Sequence, residues 1–198
     1  GISKLIGKKI TKIERRSKFL IFEIGKTYRL LVHLGMTGKF FFTDNKDNKF
    51  KTSFYYFLNY KKDQKHDRII FVLNNKQKLI YNDVRKFGFI KIYSSNSITK
   101  SQHLTHLGPE PLEKNWNFSY LKKYVFRRER SIKNILMDQK CVSGLGNIYV
   151  NEILFLSRIK PVRQATKLKN FEIEKIIKFS KKILKNSIKL GGSTIKDF

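Results

Sequence analysis

The spacing of apolar residues changes once along this 198-residue chain, and no other feature limits its fold so strongly. Before about residue 93 the apolar residues tend to alternate, as they do when strands lie half-buried in a sheet. The segments Lys9–Glu23, Arg29–Thr43, Ser53–Asn59, Arg68–Leu73 and Lys78–Tyr93 are rich in Ile, Phe, Tyr, Val and Leu and read as strands. Residues 44–51 are polar and predict a hairpin loop, and Asn74–Lys76 predicts a tight turn. His106–Leu112 carries two of the three prolines and reads as a linker. Beyond it the spacing becomes three and four, the mark of amphipathic helices, over Asn117–Arg127, Ser131–Gln139, Ile148–Ser157 and Phe171–Leu190. Gly191-Gly192 would stop the last of these. The expected class is α+β: a β-rich domain over residues 1–100, a linker over 101–115 and an all-helical domain over 116–198.

Charge narrows the partners. Forty-three Lys and Arg face 15 acids, giving a formal charge of +28. A fold with that excess repels itself unless a polyanion is present, so nucleic acid is the favoured partner. Two other readings remain. Lys outnumbers Arg 33 to 10, which compositional drift in an AT-rich genome would also produce, although drift does not explain the scarcity of acids. An anionic membrane surface fits less well, because the basic residues are not gathered on one amphipathic helix. No run of about 18 apolar residues is present to span a bilayer. The single cysteine, Cys141, forms no disulfide within the chain and supports no cysteine-based zinc site, which suits a reducing cytoplasm.

Between two helical patterns lies Lys140-Cys141-Val142-Ser143-Gly144-Leu145-Gly146-Asn147. Its glycines permit a tight path with positive φ, and Asn147 is placed to cap a helix starting at Ile148. Such a helix start offers free N–H groups to a phosphate, with Arg128 and Lys133 just upstream. By itself the turn reads more readily as a plain helix connector. A nucleotide-binding P-loop is excluded, since no Gly-Lys-Ser/Thr follows.

The wider pattern is more specific. Leu136-Met137-Asp138-Gln139-Lys140 followed by Gly144-Leu145-Gly146-Asn147-Ile148-Tyr149-Val150-Asn151-Glu152 resembles the helix–two-turn–helix element of the formamidopyrimidine-DNA glycosylase family. Arg15–Leu20, His33–Gly38, Asp83–Gly88 and His106–Leu112 precede it in the family's order, and Gly191–Phe198 follows. The resemblance implies a β-sandwich joined to a helical domain. It also implies a base-excision repair enzyme that removes oxidised purines such as 8-oxoguanine and formamidopyrimidines from duplex DNA, then cleaves the abasic site by β/δ-elimination. The implied partner is double-stranded DNA with oxidised purines or abasic sites, bound by a monomer. A damaged-DNA-binding protein without catalysis is the alternative. An RNA-binding protein, which rests on charge alone, is a third.

The resemblance assigns roles to individual residues. A base must leave the stack to be cut out, and the gap must be held open. Met36, Arg85 and Phe87 match the family's void-filling residues, where Met and Phe supply apolar bulk and Arg a donor for a base edge. Taken singly, Met36 and Phe87 read as core residues. His66, in a Lys-His-Asp segment, matches a phosphate-contacting histidine, and Arg128, Lys133 and Asn147 match groups that grip the backbone. Lys18, otherwise a strand-edge lysine, matches a lysine described as a proton donor in β-elimination. The neighbouring Arg15 and Arg16 should lower its pKa by repulsion.

The family's nucleophile is an N-terminal proline followed by glutamate, and its C-terminus holds a four-cysteine zinc finger. This sequence begins Gly1-Ile2-Ser3 and stops at Phe198. It is therefore expected to be a fragment with a partial sandwich, no metal or cofactor of its own and little activity alone. Zinc is expected in the C-terminal finger of the full-length protein.

Overall fold

The computed structural model describes residues 1–43, 64–192 and the backbone of 49–50. The chain divides into two compact units, one formed by Gly1–Asn96 and one beginning at Ser97. The expected strand at Ser53–Asn59 lies outside the described residues, as does all but the start of the Gly191–Phe198 match.

The first unit opens with one 3-10 turn, Ile2–Leu5, followed by two four-stranded antiparallel sheets. Strands β1 (Ile10–Arg16), β2 (Phe19–Ile24), β3 (Tyr28–His33) and β8 (Phe89–Ser94) form one sheet in the order β1-β2-β3-β8. Strands β4 (Lys39–Thr43), β5 (Lys49–Phe50), β6 (Asp67–Val72) and β7 (Lys78–Asn82) form the other, in the order β5-β4-β7-β6. Lys49 and Phe50, expected in a loop, pair with Thr43 and Phe42. The sheets pack face to face: Phe22, Ile24, Leu30 and Val32 of the first meet Phe40, Phe71 and Leu79 of the second. The Phe22 and Phe40 rings cross edge-on at 5.6 Å. The unit is thus a β-sandwich.

Three of the predicted strands are each broken in two. Lys9–Glu23 turns back at Ser17-Lys18, Arg29–Thr43 at Leu34–Gly38, and Lys78–Tyr93 at Asp83–Gly88. The register shows where the breaks lie. Arg16 pairs with Phe19, Phe19 with His33, and His33 with Phe89, so all three connections leave from one end of the first sheet. In the second sheet, Asn82 pairs with both Lys39 and Asp67, whose strands start from the same connections or from His66. One end of the sandwich therefore collects Lys18, Met36, His66, Arg85 and Phe87.

The second unit holds α1 (Phe118–Val125), α2 (Ile132–Met137), α3 (Asn147–Ser157) and α4 (Asn170–Lys189). Asn117 and Ser131 cap α1 and α2 by accepting from the N–H groups of Tyr120 and Asn134. Trp116, Leu121, Ile132, Ile135, Leu136, Ile153 and Ile176 form a closed core, each side chain contributing roughly 1.5–3 kcal/mol of burial free energy. The Trp116 indole N–H is satisfied by Ser180 Oγ at 2.8 Å. Residues 101–115, expected as a linker, fall within this unit. Their backbone is bonded to it: Gly108 N–H donates to Gln139 O at 2.8 Å, and Ser143 N–H donates to Pro109 O at 3.0 Å.

Candidate nucleic-acid interface

At the sandwich end, Lys18 occupies the two-residue turn between β1 and β2. Ser17 makes the turn by adopting φ 56°, and Arg15 Nη1 donates to Ser17 O at 2.9 Å. Left-handed backbone is costly for a residue with a Cβ, so this bond helps to hold it. The Lys18 side chain stays accessible, yet surrounding protein displaces enough water to lower its pKa. The cause is desolvation of the ammonium; repulsion from Arg15 and Arg16, the expected cause, is not what lowers it.

Met36, Arg85 and Phe87 come from two different loops and meet. Arg85 Nη1 lies 3.2 Å from Met36 Sδ, and the Arg85 guanidinium sits 4.5 Å from the centre of the Phe87 ring. Neither apolar residue is in the core: Met36 is 72% and Phe87 57% exposed. Apolar groups held in water in this way, with a guanidinium between them, are a surface prepared for a partner with flat apolar faces and polar edges. Between Arg85 and Phe87, Lys86 takes φ 57°, another left-handed non-glycine residue. His66 ends a 3-10 turn before β6 and is half-buried, its carbonyl accepting from Asp83 N–H at 3.0 Å.

The groups that hold this end together carry no assigned role in the sequence. Asp83 is 1% exposed. Its carboxylate accepts from Thr37 Oγ1 at 2.5 Å, Gly88 N–H at 2.9 Å and Tyr81 OH at 3.2 Å. Burial pushes the Asp83 pKa up, but these hydrogen bonds and one from the Lys86 backbone together outweigh it and hold the carboxyl below its ordinary value. Tyr81 shows the converse, pushed up to about 12 by burial and by the Asp83 charge. His33 stacks on Phe89 at 5.7 Å and tilts against Phe19 at 5.1 Å. Gly35 is required where the two loops touch: at φ 63°, an added Cβ would lie 2.7 Å from Gly88 N. Thr37 and Asp83 sit inside the quoted motifs, but nothing local signals a bond between residues 46 positions apart.

In the helical unit, the turn between α2 and α3 is clamped by Gln139. Its Oε1 accepts from Gly144 N–H at 2.8 Å, and its Nε2 donates to Leu145 O at 2.8 Å and Met137 O at 3.1 Å. Asn147 is exposed and is the first residue of α3, not its cap. The cap is Gly146, which makes no side-chain bond. Extended backbone at Gly146 already sets the helix start, and the Asn147 side chain stays free of capping. Arg128 is exposed, its guanidinium 4.2 Å from the Tyr124 ring centre and its Nε donating to Tyr124 O at 2.7 Å. Lys133, half-buried, stands in the first turn of α2, its N–H donating to Pro161 O at 3.2 Å.

Several acids are already engaged inside the protein: Glu23 with Arg29 at 3.3 Å, Asp138 with Arg130 at 3.1 Å, and Glu172 with Arg163 at 2.8 Å. They do not offset the remaining cations. A zinc finger of the implied kind needs several thiolates, whereas Cys141 is fully buried and its thiol is pushed up to about 12, mainly by burial. The residues present do not fit that metal site. Among the described residues, no helix is long and apolar enough to cross a membrane.

Comparison with known proteins agrees with this fold. Residues 2–90 match the model of the formamidopyrimidine-DNA glycosylase N-terminal domain, and residues 107–198 match that of the formamidopyrimidine-DNA glycosylase H2TH domain. The formamidopyrimidine-DNA glycosylase of Rickettsia felis is 38% identical over 196 residues, covering 99% of this chain and 66% of its own length. That of Roseobacter denitrificans is 34% identical, with 99% and 67% covered. Among solved structures, Lactococcus lactis Fpg in complex with abasic-site DNA superposes with a TM-score of 0.83 at 34% identity, covering 99% of this chain and 67% of that one. MutM in complex with carbocyclic 8-oxo-G DNA gives a TM-score of 0.83 at 35% identity, with 98% and 68% covered. The chain thus spans about 66% of the length of the Rickettsia felis protein. Two adjoining domain models, relatives matched along nearly the whole chain and a shared architecture place this protein in the formamidopyrimidine-DNA glycosylase family.

Proposed function

We propose that this chain is the DNA-recognition part of a base-excision repair enzyme that removes oxidised purines from duplex DNA and cleaves the resulting abasic site. The observation that carries the reading is the exposed cluster of Met36, Arg85 and Phe87, two apolar wedges around a guanidinium at one end of a basic sandwich. Such a cluster fits the gap left by an extruded base: Met36 and Phe87 replace lost stacking, and Arg85 donates to the edge of the opposite base. The Lactococcus lactis and MutM structures, complexes with abasic-site and carbocyclic 8-oxo-G DNA, support the same class of partner.

In this reading His66, Arg128, Lys133 and the α3 start at Asn147 bind phosphates. Lys18, whose ammonium gives up its proton more readily than an ordinary lysine, moves a proton during elimination at the sugar. The attack on C1′ needs a free amine. Pro109, Pro111 and Pro161 are internal and have none. The family resemblance implies the prolyl amine and the zinc of the complete enzyme, and a cytoplasmic monomer is the expected form.

The test is titration with a duplex carrying one abasic site against the same intact duplex, followed by borohydride. Preference for the abasic duplex is expected, and equal affinity for both overturns the reading. A covalent band would show that an amine of this chain, Gly1 or Lys18, itself forms the Schiff base. Preference without a band places the chemistry in the remainder of the enzyme.

A further inference from the structure

We propose that Thr37 and Asp83 form a positioning relay that presets Arg85, and with it Met36 and Phe87, for reading the base opposite the lesion. The proposal rests on the function above and extends it to two residues that it does not use.

The relay is read from four bonds. The Thr37 hydroxyl donates to Asp83 Oδ1 at 2.5 Å and accepts from the Arg85 backbone N–H at 3.0 Å. The other Asp83 oxygen accepts from Gly88 N–H at 2.9 Å and from Tyr81 OH at 3.2 Å. The loop between β7 and β8 is thus tied at its start by Asp83, at its end by Gly88 and in its middle by Arg85. The tie at Arg85 runs to the other loop, the one that carries Met36. Asp83 is itself fixed through its main chain, its N–H donating to His66 O at 3.0 Å and its carbonyl accepting from Arg68 Nε at 2.9 Å.

A carboxylate at 1% exposure is costly unless its oxygens are satisfied, and here donors from both loops satisfy them. The bonds therefore do more than fold one loop on itself. They fix the distance between two loops whose tips, Met36 and Arg85, approach to 3.2 Å. Lys86 at φ 57° stores backbone strain between Arg85 and Phe87, which the relay holds in place. Thr37→Val removes the hydroxyl at nearly constant volume and leaves Met36, Arg85 and Phe87 unchanged, so its effect on them must pass through position.

The chain has two methionines, Met36 at the loop tip and Met137 against the helical core. A methyl spectrum of the 13C-methionine-labelled chain therefore reads the relay at Met36 without DNA, with Met137 reporting that the protein is folded. Thr37→Val and Asp83→Asn should move the Met36 signal toward that of free methionine while Met137 stays in place. Thr37→Ser should keep the native spectrum. Thr37→Ala serves if the extra methyl of valine disturbs folding.

In parallel, abasic duplexes with each of the four bases opposite the gap are titrated. Thr37→Val should reduce the discrimination among them by about tenfold, the scale of one base-edge contact. The double variant with Arg85→Ala should discriminate no worse than Arg85→Ala alone. A Met36 signal unmoved by Thr37→Val and Asp83→Asn overturns the proposal, as does a double variant whose loss is the product of the single losses. A wild-type chain with no preference for abasic DNA would defeat the function above, and the methyl spectra would still decide the relay.

Discussion

The Arg85 guanidinium lies over the ring of Phe87, 4.5 Å from its centre, although the intervening residue is left-handed and both side chains are exposed. Such a pair contributes only about 0.5–1 kcal/mol at an exposed site, too little to account for the strain as a stabilising device. The proposed function gives the pair a use in what it meets. Phe87→Ala and Met36→Ala should leave stability within about 0.5 kcal/mol of the parent. Each should weaken binding to abasic duplex by about 1–3 kcal/mol, the scale of stacking on one aromatic face. Thermal melting and titration, run on the same samples, check both halves.

The pKa values of Lys12 and Lys18 are shifted in opposite directions. A hydrogen bond and the charge of Glu14 raise the Lys12 pKa, while desolvation lowers that of Lys18. At mildly alkaline pH, limiting acetic anhydride should therefore modify Lys18 well before Lys12. Peptide mass spectrometry gives the order directly, and equal rates would contradict it.

The lowered pKa of Asp83 and Asp138 predicts an acid limb in stability. A carboxyl whose folded pKa lies below its unfolded value stabilises the fold fully above the unfolded value, about 3.9. That contribution disappears as pH falls through the folded value. Melting temperature should therefore drop steeply below about pH 4, and Asp83→Asn should make the drop shallower while lowering stability at neutral pH.

Gly108 has no positive φ, yet it has no room for a side chain. A Cβ there would lie 2.6 Å from the carbonyl oxygens of both Lys140 and Cys141. Because those atoms are backbone, the turn would have to move. Gly108→Ala should cost about 1–3 kcal/mol, in line with other overpacked sites. Chemical denaturation checks it, and a loss under about 0.5 kcal/mol would show that the turn yields.

If Arg128 and Lys133 each neutralise one phosphate, Arg128→Gln and Lys133→Gln should each reduce the salt dependence of duplex affinity by about 0.9 in log–log slope. Both should weaken intact and abasic duplex alike, leaving the preference between them unchanged. Affinity measured at several salt concentrations decides.

The helices were legible because their signals are local. Asn117 and Ser131 stand where a cap belongs, and apolar spacing carries α1, α2 and α4 to within a residue or two of their limits. The strands were legible in kind but not in number. Ser17-Lys18 contains no Gly, Pro, Asn or Asp, and its left-handed backbone is held in part by a bond from Arg15. The same limitation hid Thr37 and Asp83, whose bond exists only once β4 and β7 are paired. Asn147 was misplaced by one position because residue type suggested a side-chain cap where the backbone of Gly146 suffices. Motif resemblance singled out Met36, Arg85 and Phe87 one by one, and only the folded loops bring them into contact.

The row Arg16–Phe19–His33–Phe89 also sets where this chain can change length. Side chains alternate along a strand, so inserting or deleting one residue in β2, β3 or β8 would turn every later side chain to the wrong face and pull one connection out of line with its neighbours. The turns at the far end, such as Gly25–Thr27 between β2 and β3, carry none of Lys18, Met36, His66, Arg85 and Phe87 and can lengthen without disturbing them. Insertions tolerated by the fold should therefore cluster at that far rim, which makes it the place to attach a fluorophore, a tag or a second binding module.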